Sequence, residues 1–122
     1  MARPVTPDLL QQRISRALAR DGAFTLDHVK DRLRDGRAQI FWNDHGAWIT
    51  EIVDTPLKRS LNVWVVAGEL PAVMDLQPKV LDFAAAEGCA DMYATARFGR
   101  KHVARAHGWK EKAMLIHHGV GQ

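Results

Sequence analysis

Apolar residues recur along this chain at two different periods, and each period marks a kind of element. Between Pro7 and Gly22 they fall at Leu10, Ile14 and Leu18, a stripe at four-residue spacing that predicts an amphipathic helix closed by Gly22. Thr6-Pro7-Asp8 supplies its start: a hydroxyl for the N-cap, a proline at the first helical position and an acid near the positive dipole end. A second short helix is predicted from Thr25, with Leu26, Val29 and Leu33 on one face and Gly36 as its stop. Its other face carries Asp27, Lys30, Asp31, Arg32, Arg34 and Asp35 and reads as solvated. The period then shortens. Ala38 to Trp42 and Ala47 to Val53 are β-rich, and the polar Asn43-Asp44-His45-Gly46 between them predicts a hairpin.

After a turn at Thr55-Pro56-Leu57-Lys58-Arg59 the pattern loses its alternation. Leu61 to Ala67 is apolar except for Asn62, as expected of a strand covered on both faces. Gly68 allows a sharp exit, Pro71 suits the first turn of a helix because it has no amide hydrogen to lose, and Gly88 suits its C-terminal stop. Asp91 to Ala96 reads as the returning strand, and a helical crossover between two strands favours parallel pairing. The tail reads as a basic helix from Phe98 to His107, a stop at Gly108 and a last strand from Lys112 to His118. Helix, helix, a three-strand meander, helix, strand, helix, strand is a mixed α/β sheet, of about five strands on ordinary sheet sizes.

Length and composition bound the rest. A chain of 122 residues, 47% apolar and 25% charged, is predicted to form one domain over 1–122 with a core of its own. One cysteine, Cys89, permits no internal disulfide, which fits a reducing cytoplasm, and it reads as a small buried residue. MARPVTPDLLQQR has no signal-peptide core, and no stretch is long and apolar enough to span a membrane. Six histidines raise the question of a metal, but His102 and His107 do not share a helix face and His117 and His118 point apart in a strand, so no metal site is expected. There is no phosphate loop and no dinucleotide fingerprint. Arg97, Arg100, Lys101, Arg105, Lys110 and Lys112, against Glu111, form a basic stretch that could hold a phosphate or steer an acidic partner. No stacking aromatics interleave with these charges, which leaves nucleic acid the least expected partner.

The element order, together with Val103-Ala104-Arg105-Ala106-His107-Gly108-Trp109, resembles the GNAT N-acetyltransferase superfamily, whose last helix often ends on the same Gly-aromatic punctuation. The likeness runs from about Leu9 to Val120, and the GRKHVARAHGW tail looks most like small GNAT-like proteins of bacteriophages and prophages. It implies the acyl-CoA N-acyltransferase fold, acetyl-CoA as acyl donor, an amine as acceptor, and either host cytoplasm or a virion as location. The resemblance puts the coenzyme A cradle on Val65, Val66, Ala67, Gly68, Glu69 and Leu70, where a helix N-terminus meets the carboxyl edge of the sheet. It also implies dimerisation through sheet edges, for which the final His117–Val120 stretch offers one.

Two departures from the family pattern stand in the sequence. Ala67-Gly68-Glu69-Leu70-Pro71-Ala72 has one glycine and no basic residue, Glu69 would repel a pyrophosphate, and Pro71 removes an amide. Ala104 stands where family members often carry a tyrosine acid, and Tyr93, the only tyrosine, reads as a core aromatic. Glu51, an acid within the apolar run Ile49 to Val53, is the candidate general base for deprotonating an amine. The alternative is a GNAT-like fold without coenzyme A chemistry that serves as a binding or virion-associated module with a protein partner.

Overall fold

A computed structural model of the protein describes residues 7–19, 22–95 and 105–121. In order, its elements are α1 (Pro7–Ala19), α2 (Leu26–Arg34), β1 (Gln39–Asn43), β2 (Gly46–Asp54), β3 (Arg59–Gly68), α3 (Leu70–Ala86) and β4 (Asp91–Ala94). The strands form one sheet in the order β1-β2-β3-β4, antiparallel across β1–β2 and β2–β3 and parallel across β3–β4. The crossover from β3 through α3 to β4 is the unit the uninterrupted apolar run predicts. α2 is followed by Gly36 at a positive φ of 74°, and at its start the Thr25 amide donates to His28 Nδ1 at 2.9 Å, which satisfies one of the amides a helix start leaves over.

The core lies on both faces of the sheet. On one, Ile14 and Leu18 of α1 and Val29 of α2 meet Ala38, Ala47, Ile49, Val65 and Ala67. On the other, Val73, Leu76, Val80 and Ala84 of α3 meet Trp48, Leu61 and Val63. β3 changes parity between these groups: Leu61 and Val63 face α3, yet Val65 and Ala67 face α1 and α2. The cause is a β-bulge. Ile49 is opposite Val65 and Thr50 is opposite Val63, so Trp64 has no partner on β2. An extra residue of this kind turns the strand and re-aims the side chains beyond it. Trp64 therefore lies on the same face as Val65, edge-on to Phe24 with ring centroids 4.9 Å apart.

The indole nitrogen of buried Trp48 donates to the Val73 carbonyl at 2.8 Å, which pins the first turn of α3 to β2. Where β3 turns into α3 the backbones come very close. Gly68 has φ +120°, and a Cβ there would stand 2.3 Å from the His45 carbonyl oxygen and 2.5 Å from the Gly46 Cα. Only a residue without a side chain fits both the torsion and the space.

The tail differs from its expected form. Residues 96–104, most of the expected basic helix, lie outside the described residues; Arg105 and Ala106 are helical and Gly108 follows as a turn. The last strand expected at Lys112–His118 does not form. These residues pair with no strand among the described residues, and Met114, Leu115 and Ile116 are 78%, 79% and 82% exposed. The described sheet accordingly has four strands rather than five. Apolar composition alone does not make a strand without an edge that the chain can reach. The tail is nevertheless moored at its root. Trp109 Nε1 donates to Gln77 Oε1 at 2.8 Å, Gln77 Nε2 donates to the His107 carbonyl at 2.7 Å, and the Trp109 ring lies 6.4 Å from Trp48.

β4 is fastened at its first residue. Lys58 Nζ donates to Asp91 Oδ2 at 2.6 Å, and Lys112 Nζ lies 3.8 Å from the same oxygen. The Lys58 hydrogen bond, and after it that of Ser60, holds the Asp91 carboxyl below its ordinary range. A carboxyl with a lowered folded value contributes stability above the unfolded value and loses it as pH falls through the folded one. Stability should therefore drop as pH falls below about 4, and Asp91→Asn should flatten the dependence of melting temperature on pH across that acidic window. A wild-type slope in the variant would remove this ion pair from the account. For the junction, Gly68→Ala should cost about 1–3 kcal/mol from strain alone, and more from the overlap with His45. Gly36→Ala, at φ +74° but with nothing within 4 Å, should cost about 1 kcal/mol. Urea unfolding of the two variants checks the difference.

Candidate functional site

The chemistry of a strand depends on which of its backbone groups are already paired. β3 is paired with β2 from Arg59 to Gly68, but with β4 only from Ser60 to Val63, where Val63 stands opposite Ala94. Beyond that pair, no described strand lies along the outer edge of Trp64–Gly68. The bulge at Trp64 falls where the two parallel strands part. Among the described residues this leaves the outer edge of Trp64–Gly68 uncovered, with the start of α3 at its end. Val66, 38% exposed, is an apolar side chain beside it.

Val65, Val66, Ala67, Gly68, Glu69 and Leu70, the expected cradle, all lie on this wall or at its corner, and the backbone is less available there than the sequence suggests. The Glu69 amide donates to the His45 carbonyl at 2.9 Å, and Arg13 Nη1 donates to the same oxygen at 3.2 Å. Val73 N is the first amide bonded within the helix, to the Glu69 carbonyl at 3.0 Å, and Pro71 has no hydrogen to give. Among the described residues, that leaves the amides of Leu70 and Ala72 as donors at the start of α3, an end that no described side chain caps. The Glu69 carboxylate stands at this corner, 58% exposed, with Oε2 3.6 Å from His45 Nδ1. The β1–β2 turn thus abuts the helix start, and Asn43 Nδ2 reaches across to the Ala72 carbonyl at 2.9 Å. Beside the amide that Pro71 lacks, the Glu69 amide is thus also taken.

Glu51 sits on β2 opposite Asn62 of β3. Its side chain is 23% exposed, and both oxygens accept hydrogen bonds at 2.9 Å, one from Arg32 Nη1 and one from Asn62 Nδ2. Arg32 is itself held: its guanidinium carbon lies 5.0 Å from the Phe24 ring and 4.7 Å from the Trp64 ring, a placement in which a cation is attracted to aromatic faces. A groove of about 370 Å³ runs beside this cluster, lined in part by Arg32, Arg37, Gln39, Glu51 and Asp54. Sequence reasoning left Arg32 among the solvated charges of α2. The one available signal was Asn62, the lone polar residue in an otherwise apolar strand, since a buried amide side chain needs a partner.

Other candidates come to less. Tyr93, expected in the core, lies on β4 with 43% of its surface exposed. Cys89 is half-buried against the α3-side core, and burial pushes its thiol up, away from the thiolate a nucleophile needs. Arg105 of the basic stretch pairs with Glu111. Ala104 lies outside the described residues. Among the described residues no three His, Cys, Asp or Glu side chains are grouped to hold a metal, and no helix is long and apolar enough to cross a membrane.

No protein-family profile matches the chain, and no curated protein sequence is similar to it. Solved structures are. A probable acetyltransferase superposes with a TM-score of 0.70 at 14% identity, covering 94% of this chain and 91% of its own. Glucosamine-6-phosphate N-acetyltransferase from Arabidopsis thaliana does so with a TM-score of 0.68 at 12% identity, over 97% and 96%. An aminoglycoside acetyltransferase from an uncultured soil metagenomic sample, in complex with sisomicin, gives 0.68 at 12% identity, over 94% and 88%. At such identities the likeness is one of backbone, and it shows that this chain has the mixed α/β fold of GNAT acetyltransferases.

Proposed function

We propose that the protein is an N-acyltransferase that moves an acyl group, acetyl in the simplest case, from a coenzyme A thioester to an amine. The observation that carries this reading is the parting of β3 from β4 after Val63 and Ala94, beside a helix start with unpaired amides. A thioester supplies an activated carbonyl carbon to which the amine nitrogen bonds as the carbon–sulfur bond breaks. The residues here would bind and orient. The free edge of Trp64–Gly68 offers backbone donors and acceptors to an extended amide-containing arm, Val66 an apolar floor, and the Leu70 and Ala72 amides, at the positive end of α3, donors to a phosphate. A backbone amide aimed at the developing oxyanion stabilises the tetrahedral stage. Glu51, opposite Asn62 on the neighbouring strand, is the residue assigned here to accept the amine proton. To do so, one of its oxygens must exchange its bond to Arg32 or Asn62 for one to the amine. The leaving thiolate takes its proton from solvent or from the acceptor.

A second reading has its own support: the fold without the chemistry, serving as a binding module, in a phage particle if the chain is phage-encoded. The Glu69 amide is already committed to His45, and Pro71 has none to give. A cradle reduced to two amides beside a carboxylate binds a pyrophosphate less well than a full row would.

Titration with acetyl-coenzyme A separates the two. Under the enzyme reading, ligand at about 100 times its dissociation constant raises stability by about 2.7 kcal/mol, visible as a shift in melting temperature. Absence of a shift at millimolar ligand supports the module. Glu69→Ala removes a like charge from the helix start and should tighten binding by about 0.5–1 kcal/mol at low salt, with the gain shrinking as salt is added. Calorimetry on wild type and variant reads it directly.

A further inference from the structure

Arg32 and Glu51 are bonded to each other, but neither depends on the other for its place. Asn62 Nδ2 donates to the second Glu51 oxygen at 2.9 Å, so the carboxylate stays anchored over the sheet without the arginine. Arg32 in turn lies 5.0 Å from the Phe24 ring and 4.7 Å from the Trp64 ring. Aromatic faces attract a guanidinium whether or not a carboxylate is beside it. On separation each charge therefore keeps one support, and the pair can open without releasing either side chain. Both are partly exposed, and the groove of about 370 Å³ runs along them. The other charges lining that groove are matched outside the pair, Arg37 with Asp35 at 2.9 Å and Asp54 with Arg59 at 2.7 Å.

An opened pair is one positive and one negative seat side by side. A simple amine takes Glu51 and leaves Arg32 without an anion, which forfeits a charge-assisted bond. An amine that also bears an anion replaces one ion pair by two. We propose that this groove, between the α2–β1 connection and β2, seats the acceptor, and that the acceptor is a small molecule with a carboxylate close to its amine. Its ammonium lies on Glu51 and its carboxylate on Arg32, whose planar guanidinium matches two carboxylate oxygens. This substrate class rests on the N-acyltransferase reading above. The ammonium passes a proton to Glu51, the freed nitrogen bonds to the thioester carbonyl carbon, and the carbon–sulfur bond breaks to release the thiolate. Glu51 then returns its proton to solvent.

Three probes of one chain length separate the contributions: β-alanine carries both charges, propylamine only the amine, propionate only the carboxylate. With acetyl-coenzyme A as donor, kcat/KM should be at least about tenfold higher for β-alanine than for propylamine. Arg32→Gln keeps a hydrogen-bond donor but removes the charge, and should bring the two amines to within about twofold of each other, while Arg32→Lys should restore part of the preference. Equal rates for the two amines on the wild type overturn the proposal and leave the N-acyltransferase reading standing. A full preference that survives Arg32→Gln overturns it too, because the carboxylate then sits elsewhere. If no amine is acylated and acetyl-coenzyme A does not raise the melting temperature, the enzyme reading falls and binding alone decides. In nuclear magnetic resonance titrations of the wild type, β-alanine should shift the Arg32 Nε–H and Asn62 side-chain amide signals more than propylamine or propionate does at the same concentration. Equal shifts, or none, overturn the seat itself. That measurement stands even where the variants do not fold.

Discussion

Strand β3 is held by β2 over its whole length and by β4 over less than half of it, and most of the architecture answers to that asymmetry. A strand between two helical layers must bury side chains on both faces, which forces an apolar sequence with no alternation to fix its register. The register is set by its neighbours. The hairpin fixes β2, β2 fixes β3, and the bulge at Trp64 absorbs the mismatch by placing one residue more on β3. Because the bulge reverses parity, Val63 and Val65 face opposite layers although they are two residues apart. α3 covers one face of the sheet and α1 and α2 the other, so the bulge moves side chains of β3 from one layer to the other. The site lies beside the bulge, where the pairing of β3 with β4 ends among the described residues.

Much of this was legible in the residues themselves. The order of elements follows from spacing at Leu10, Ile14 and Leu18, from the turn chemistry of Asn43–Gly46, and from the unbroken run at Leu61–Ala67. These are local signals, and the packing agrees with them. The parallel return of β4 follows from the length of the crossover. What could not be read was pairing at a distance. Nothing in the sequence says that the His45 carbonyl would take the Glu69 amide, because that bond depends on two turns meeting in space. Likewise, Arg32 looks like any charge on a solvated helix until its guanidinium is seen against the adjoining Phe24 and Trp64 rings. The missing last strand has a similar origin. β-branched and apolar composition specifies a surface to be covered, not which edge covers it.

The candidate site shows the same competition between stability and availability. A helix start is an anion site because its amides lack partners, yet a fold gains by giving them partners. Here the β1–β2 turn takes one, proline removes another, and two remain. Glu51 is in the same position, since a carboxylate that accepts from both Arg32 and Asn62 is well placed in the fold but must release a partner to handle a proton. Both features are compatible with catalysis, and both make the protein as it stands a firmly built version of its fold.

The mooring of the tail has an optical consequence. Gln77 uses its carbonyl to hold the Trp109 indole and its amide to hold the His107 carbonyl, and this brings Trp109 to within 6.4 Å of buried Trp48. Two indoles so close share excitation, so the emission and near-ultraviolet dichroism of Trp48 depend on whether residue 109 is seated. The chain thereby carries an intrinsic reporter, needing no label, of whether its C-terminal stretch is docked on α3.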